Sequence, residues 1–514
     1  MLGTRSILGA ALLGRAGDPL QVAGPVDLLF SDVGWTGAPT DSVWPNRHFA
    51  PRVLDPLTVE QVLPFAPGGA RRLATTLGDL VLINADGALD YLRAAPVDGR
   101  TVKVYQGKRG ADFASFDLIF KGTGAAWREA DDARITLGLR GAAWRLDVPV
   151  TRPLYAGSGG TEGGADIKGK YKPAAFGRLS NIGLVLVDAT NLIYQFHYRA
   201  ARAVTGVYDG GVAYTPAGDV ADITAASVAP GQFKTQLSGG TIKLGTAPTK
   251  TLTADVEGDA AGSYVERAAD LAFRLLHDLQ GLDDGWFEPA TFDALKLAAP
   301  GPVGIQLGLE PVGAAQVMDE LMAGINGWWA ENRQGRIEVG LIALPAAVPR
   351  ASLRAKDILE IERLALPDSF DPPIWRIRVG YARNWTPMDV TQIGSAIVSG
   401  NPARYAFLTE AFRFVTKEDV TILTRNLRAQ EFTLLSAYAN EADALALADL
   451  LFALYAAPRR LARLRTKRQG LKLPLGGTIA IDYPRYGLAG GTNAVLVGKG
   501  IVAATADCML TVFW

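Results

Sequence analysis

With 514 residues, 52 basic against 52 acidic side chains and a mean hydropathy of +0.12, the chain has ample apolar material for folded cores. It carries no global field that points to nucleic acid or an anionic membrane. Length suggests roughly three to four domains, and the one cysteine, Cys508, excludes an internal disulfide, a cysteine-based zinc site and an iron–sulfur cluster.

Residues 1–26 read as an N-terminal extension. They imitate a short signal peptide, with Arg5 ahead of an apolar run from Ile7 to Leu13, but Arg15 interrupts the pattern and no clear A-x-A cleavage site follows. Residues 27–150 read as a first β domain: TVKVYQG, FDLIFKG and ARITLGLRG alternate apolar and polar residues between turn formers, the signature of antiparallel sandwiches or barrels. Asp98-Gly99 and, further on, Asp209-Gly210 supply hairpin-type turns. Residues 151–262 form a loop-rich second β region (GLVLVDA, GTIKLG, TLTADVEG) that opens with a glycine-rich arm, YAGSGGTEGGADIKGKYKP, from Tyr155 to Pro173.

That arm comes within one residue of a phosphate-binding loop, since Gly164, Gly169 and Lys170 fit G-x-x-x-x-G-K. The frame requires a Ser or Thr next, to hold magnesium, and a helix whose N–H groups face the phosphates. Tyr171 stands where the hydroxyl belongs, and Pro173 biases Lys172 away from helical geometry. Nucleotide binding is not expected. Because the arm's side chains are small and polar, it should be ordered by contact with another chain rather than by its own fold.

Residues 263–346 read as a mixed α/β domain. One helix opens with a Ser263–Glu266 capping box, runs an apolar face through Val265, Ala269, Ala272, Leu275, Leu276 and Leu279, and stops at Gly281. EPATFDALKLAA is a weaker helical segment, and a further helix follows Pro311 with Ala315, Met318, Leu321, Met322 and Ile325 at helical spacing. GWWAENRQGRIEVG closes the region as a hairpin. Residues 347–514 read as a second β domain with one inserted helix, from Asn440 to before Pro458. Its apolar residues (Leu445, Leu447, Leu450, Leu451, Phe452, Leu454, Tyr455) surround nearly the whole circumference, which predicts burial between β layers or against another subunit. No window approaches the roughly 20 apolar residues needed to span a bilayer. The fold class expected is mainly β with a minor α component, two antiparallel β-barrel or sandwich domains around a mixed α/β centre.

Constellations for chemistry fail one by one. His48, His197 and His277 stand apart from one another and from metal-binding motifs. Ser158 sits in AGSGG, not in a nucleophile elbow. Asp283-Asp284 follows a helix stop and reads as a solvated loop, and Cys508 as a packed thiol. No catalytic residue, cofactor or metal is expected. The densest charge is Arg459, Arg460, Arg463, Arg465, Lys467 and Arg468. It is open to three readings: a solvated helix end, an interface with an acidic neighbour, or contact with phosphates. No aromatic residues interleave with it, so no base-stacking surface is implied.

Read in order, several segments resemble the hub proteins at the tail tip, or baseplate, of long-tailed bacteriophages and related tail-like particles. They are Tyr155-Ala-Gly with Glu162-Gly163, Lys168-Gly169 and Lys172-Pro173; Leu186-Val-Asp188 with Tyr194-Gln195; Val207-Tyr-Asp-Gly-Gly211; Thr253-Ala-Asp-Val-Glu-Gly258; Gly327-Trp-Trp329; Arg376-Ile-Arg-Val-Gly-Tyr381 with Asn384; Pro484-Arg-Tyr-Gly-Leu488; and Leu510-Thr-Val-Phe-Trp514. The resemblance implies a structural virion protein without enzymatic activity, assembled in the host cytoplasm into a ring, with a trimer favoured, that closes the tail tube. It makes the two β domains tube-like. Implied partners are the distal tail ring, tape measure, and fibre or receptor-binding proteins, with DNA only in transit and no stable membrane insertion. Candidate subunit-interface or lumen residues are Tyr155, Glu162, Lys168, Lys170, Lys172 and the basic stripe 459–468. Two other classes stay open: another tail component, or a carbohydrate-binding or carbohydrate-cleaving β protein using Trp35, Trp44, Trp286, Trp328 and Trp329 to stack on sugars.

Overall fold

The computed structural model describes residues 4–13, 26–63, 72, 74–366, 373–505 and 507–514. Within 140 residues of the start, alternation of the kind seen in Thr101–Lys108, where Val102, Val104 and Gln106 turn inward, builds a nine-stranded sheet. Its order is Trp35–Thr36, His48–Pro51, Val26–Ser31, Thr4–Leu13, Thr101–Lys108, Asp117–Asp131, Arg134–Arg140, Leu80–Ile83, Val53–Asp55. The segment read as an extension thus contributes a strand to the middle of this sheet, between Val26–Ser31 and Thr101–Lys108. Register shifts at Leu118/Phe120, Gly124/Ala126 and Glu129/Asp131 mark bulges that bend the long strand Asp117–Asp131.

The C-terminal sheet runs Ala351–Arg354, Thr478–Asp482, Thr492–Val502, Asp507–Phe513, Leu461–Thr466, Ile358–Leu364. Thr58–Val62 leaves the first domain and pairs antiparallel with this sheet, Val62 opposite Gly498 and Thr58 opposite Val502. The two β domains do not stand apart on either side of the centre. They share one core, in which Phe30, Leu82, Val104 and Ile119 of the first pack with Leu464, Ile481, Leu496 and Leu510 of the second.

Two five-stranded sheets form the middle β region, one of them completed by Gly304–Leu307. They enclose Leu179, Ile182, Phe196, Val207, Phe233, Ile242 and Val256. Asp209-Gly210 makes the expected hairpin: Asp209 pairs with Val212 across Gly210 and Gly211, both at positive φ (54° and 87°).

The α/β centre is larger than the sequence reading allowed. The helices Ala268–Arg274, Pro289–Ala298 and Ala314–Ala323 and the hairpin Gly327–Glu331/Ile337–Leu341 share their core with an insert from the C-terminal domain. That insert holds the sheet Arg413–Glu418, Arg376–Tyr381, Glu431–Leu435 and the helix Glu441–Tyr455. The Ser263–Glu266 capping box does not form. The Glu266 carbonyl accepts from Val303 N–H (2.7 Å), its carboxylate is taken by Arg178 and Tyr264, and Ser263 accepts from Arg274, so the helix begins five residues later. Gly281, at φ 69°, ends the helical run after a π turn at Leu275–Leu279. The helix Glu441–Tyr455 buries Ala444, Leu447, Ala448, Leu451, Leu454 and Tyr455 but leaves Leu445 45% exposed, so it packs on one broad face, not all round. No helix among the described residues is long and apolar enough to cross a membrane.

Candidate functional site

The glycine-rich arm is held by its own chain, contrary to the expectation that a partner orders it. Tyr155 N–H donates to the Lys170 carbonyl (2.9 Å), Gly169 N–H returns to the Tyr155 carbonyl (2.9 Å), Gly157 N–H reaches Glu162 (3.0 Å), and Tyr171 N–H reaches Leu309 (3.1 Å). Tyr155 and Ile167 drop into a small core with Val187, Ile193 and Ile223, and the Tyr155 hydroxyl donates to Gln195 Oε1 (2.7 Å). Lys172 Nζ lies 2.6 Å from Glu162 Oε1, and this hydrogen bond holds the Glu162 carboxyl below its ordinary range. Gly157 has φ 70°, and a Cβ there would stand 2.6 Å from Lys168 Cβ, so only glycine closes this turn. Arg152, which sequence reasoning missed, is buried beneath the arm and donates to the carbonyls of Lys172 (2.9 Å), Gly308 (2.7 Å) and Glu310 (3.0 Å). Lys168 and Lys170 remain exposed. The strand Ala174–Gly183 follows the near-match loop where a nucleotide site would need a helix.

The basic stripe straddles a strand, Leu461–Thr466: Arg463 and Arg465 lie on it, Arg459 and Arg460 precede it, and Lys467 and Arg468 follow it. Only Arg459 folds back onto the helix C-terminus, donating to Leu454 and Ala453 carbonyls. Arg460 donates to the Tyr486 carbonyl (3.0 Å), and Arg465 pairs with Asp507 (2.7 Å). Arg463 lies near Glu60 (3.9 Å) and Glu362 (3.8 Å), and Arg468 pairs with Asp117, so two arginines stitch the C-terminal domain to the first. Lys467 is exposed. The structure also brings stacked Tyr483 and Tyr486 beside Arg460, aromatics that the linear sequence had placed far from the stripe.

The histidines are used structurally. His48 bonds Thr36 (2.8 Å), and His277 stacks on Phe273 and bonds Asp278 (2.7 Å). His197 is fully buried: its Nδ1 accepts from Ala175 N–H (3.1 Å), which leaves Nε2–H to donate to Asp259 Oδ1 (3.2 Å). Burial pushes the imidazole below its ordinary pKa, outweighing the pull of Asp259, so it is neutral. Arg199 grips both Asp259 oxygens (2.6 and 2.8 Å) and Arg274 adds a third contact (2.9 Å). Burial opposes ionisation of Asp259, yet His197 and Arg199 hold its carboxyl below the usual range. This knot ties the sandwich to the first helix. Asp283 caps the short helical turn Asp284–Trp286, and Asp284 is open to solvent, so the two carboxylates do not converge. Trp35, Trp328 and Trp329 are core residues, which removes them from any sugar platform.

Asn384 holds the insert to the sandwich. Its Nδ2 donates to the carbonyls of Phe407 (2.9 Å) and Leu408 (3.0 Å), while its Oδ1 accepts from Asn181 Nδ2 (2.7 Å). Beside it a cavity of about 250 Å³ opens between Arg178, Ile305, Leu321, Trp385, Leu435 and Tyr438. A second, of about 180 Å³, lies where the hairpin 327–341 meets both β domains.

No family model matches the chain, and no curated protein matches it. Among solved structures it is similar to a tail protein from Neisseria meningitidis, at 8% identity and a TM-score of 0.41, over 98% of this chain and 96% of that one. It is also similar to a prophage tail protein from Shewanella oneidensis, at 9% identity and a TM-score of 0.39, over 99% and 97%. A prophage tail protein from Listeria monocytogenes, at 8% identity and a TM-score of 0.39, aligns over 99% and 94%.

Proposed function

We propose that the chain is a structural virion protein, the central hub of a phage tail tip or baseplate. It closes the tail tube and connects it to receptor-binding or fibre proteins during DNA ejection. The observation that carries the reading is the union of two β domains on one shared core, with Thr58–Val62 of the first built into the sheet of the second. A chain that presents two such domains side by side lets three copies offer six β surfaces to the tail tube. Closed rotational symmetry also avoids an open filament from head-to-tail contacts. Exposed Lys168, Lys170 and Lys467 are the contacts assigned to a partner or to the lumen, and buried Tyr155 with the Glu162–Lys172 pair supports the arm that carries the first two. The neighbours are the distal tail ring, the tape measure and a fibre or receptor-binding protein.

A reconstruction of the tail tip without imposed symmetry tests this. The expected result is three copies, each with both β domains against the tube. Six equivalent copies with one β domain each on the tube would make the chain a distal tail ring instead.

A further inference from the structure

We infer that the cavity between the hairpin 327–341 and the two β domains is a binding site for a small oxyanion of the phosphate type. This site is independent of the hub reading. All three parts of the molecule line it: Gln61 from the strand Thr58–Val62, Arg333 and Glu338 from the hairpin, and Lys472 and Lys499 from the C-terminal domain. The cations Arg333, Lys472 and Lys499 face the carboxylates of Glu288 and Glu338, and Glu288 is already matched by Arg336 at 3.3 Å. Glu338 accepts from Asn332 Nδ2 (2.8 Å), and burial pushes its carboxyl up, toward the neutral form. The balance inside is positive.

Donors are left over as well as charge. Lys499 Nζ gives two of its three N–H groups to the carbonyls of Leu471 and Leu473, and one remains. Arg333 Nη1 donates to the Leu118 carbonyl, and the rest of its guanidinium finds no protein acceptor among the described residues. Burial, and then the neighbouring Arg333, depress the Lys499 ammonium to about 8. Two partly buried cations that face one cavity, each with donors to spare, repel one another, and an anion placed between them relieves that repulsion. The volume of about 180 Å³ suits one tetrahedral anion with a few waters, each water taking about 30 Å³.

Because three parts of the fold meet here, an anion bound only by the native state stabilises the whole chain according to its concentration over Kd. The experiment is thermal unfolding of the full chain with inorganic phosphate titrated against potassium chloride at matched ionic strength. Wild type should show a saturable rise in Tm specific to phosphate. Lys472→Ala, at the exposed mouth, should raise the half-saturating phosphate concentration several-fold, and Lys499→Met should abolish the response. If Lys499→Met does not fold, Lys472→Ala alone decides. A phosphate effect no larger than that of chloride, or one that is unchanged in Lys472→Ala, overturns the site.

Discussion

Asp259 shows how a few buried residues set the response to acid. Its carboxylate is the common partner of His197, Arg199 and Arg274, so Asp259→Asn removes the counter-charge of Arg199 and leaves Arg274 with Asp278 alone, at 3.5 Å. The expected cost is about 3–5 kcal/mol, read from equilibrium denaturation at pH 7; a change below about 1 kcal/mol would contradict the role. The pH dependence has a definite sign. Both groups have folded pKa values below their ordinary ones, so the unfolded chain binds the protons more readily and stability falls as pH falls. The loss begins below 6.5 for His197 and below 3.8 for Asp259. Replacing His197 by Gln should flatten the first of these windows and leave the second. Cys508 gives a simpler expectation: burial pushes its thiol up to about 11, so a thiol reagent at neutral pH should label it only on unfolding, and rapid labelling of native protein would refute its packing. The packed thiol was legible from its place in an apolar strand-like run. The Asp259 knot was not, because its members lie far apart in sequence and each, taken singly, is an ordinary polar residue near a turn or helix.

The helix Glu441–Tyr455 and the arm of residues 155–173 are opposite cases of legibility. Apolar spacing was enough to locate the helix, and only the partner sheet Arg413–Glu418/Arg376–Tyr381 decides which side is free. Leu451→Ala should therefore cost about 2–5 kcal/mol, while Leu445→Ala, on the open side, should stay within about 0.5 kcal/mol. Equal costs would mean that both faces are packed. In the arm, composition misled: glycine and lysine suggested a segment unable to fold alone, yet two residues, Tyr155 and Ile167, suffice because Val187, Ile193 and Ile223 supply the receiving surface. Limited proteolysis of the free subunit should spare residues 155–173, and Tyr155→Ala should expose them to cleavage. Cutting of the wild-type arm as fast as of the variant would restore the original expectation.

For the molecule as a whole, the shared core means that the two β domains report on each other. Leu496→Ala, in the C-terminal sheet, should speed hydrogen exchange at Thr101–Lys108 in the first sheet, since both line the same core. Unchanged exchange there would show two independent units. Alternation of apolar residues revealed most strands, but nothing local to Thr58–Val62 says that its partner is Gly498–Val502; register across such a distance depends on the assembled core. That pairing has a consequence for how the protein is made. A ribosome releases residues 58–62 long before their partner, so this part of the first domain waits, unpaired, while the residues between them are made. Its final closure must wait until residues 498–502 are available, which makes folding slow and dependent on holding apolar Leu57 and Val59 out of trouble in the meantime. It also means that a product terminated before residue 498 leaves Thr58–Val62 without its partner strand, so damage late in the message is felt in a segment made early.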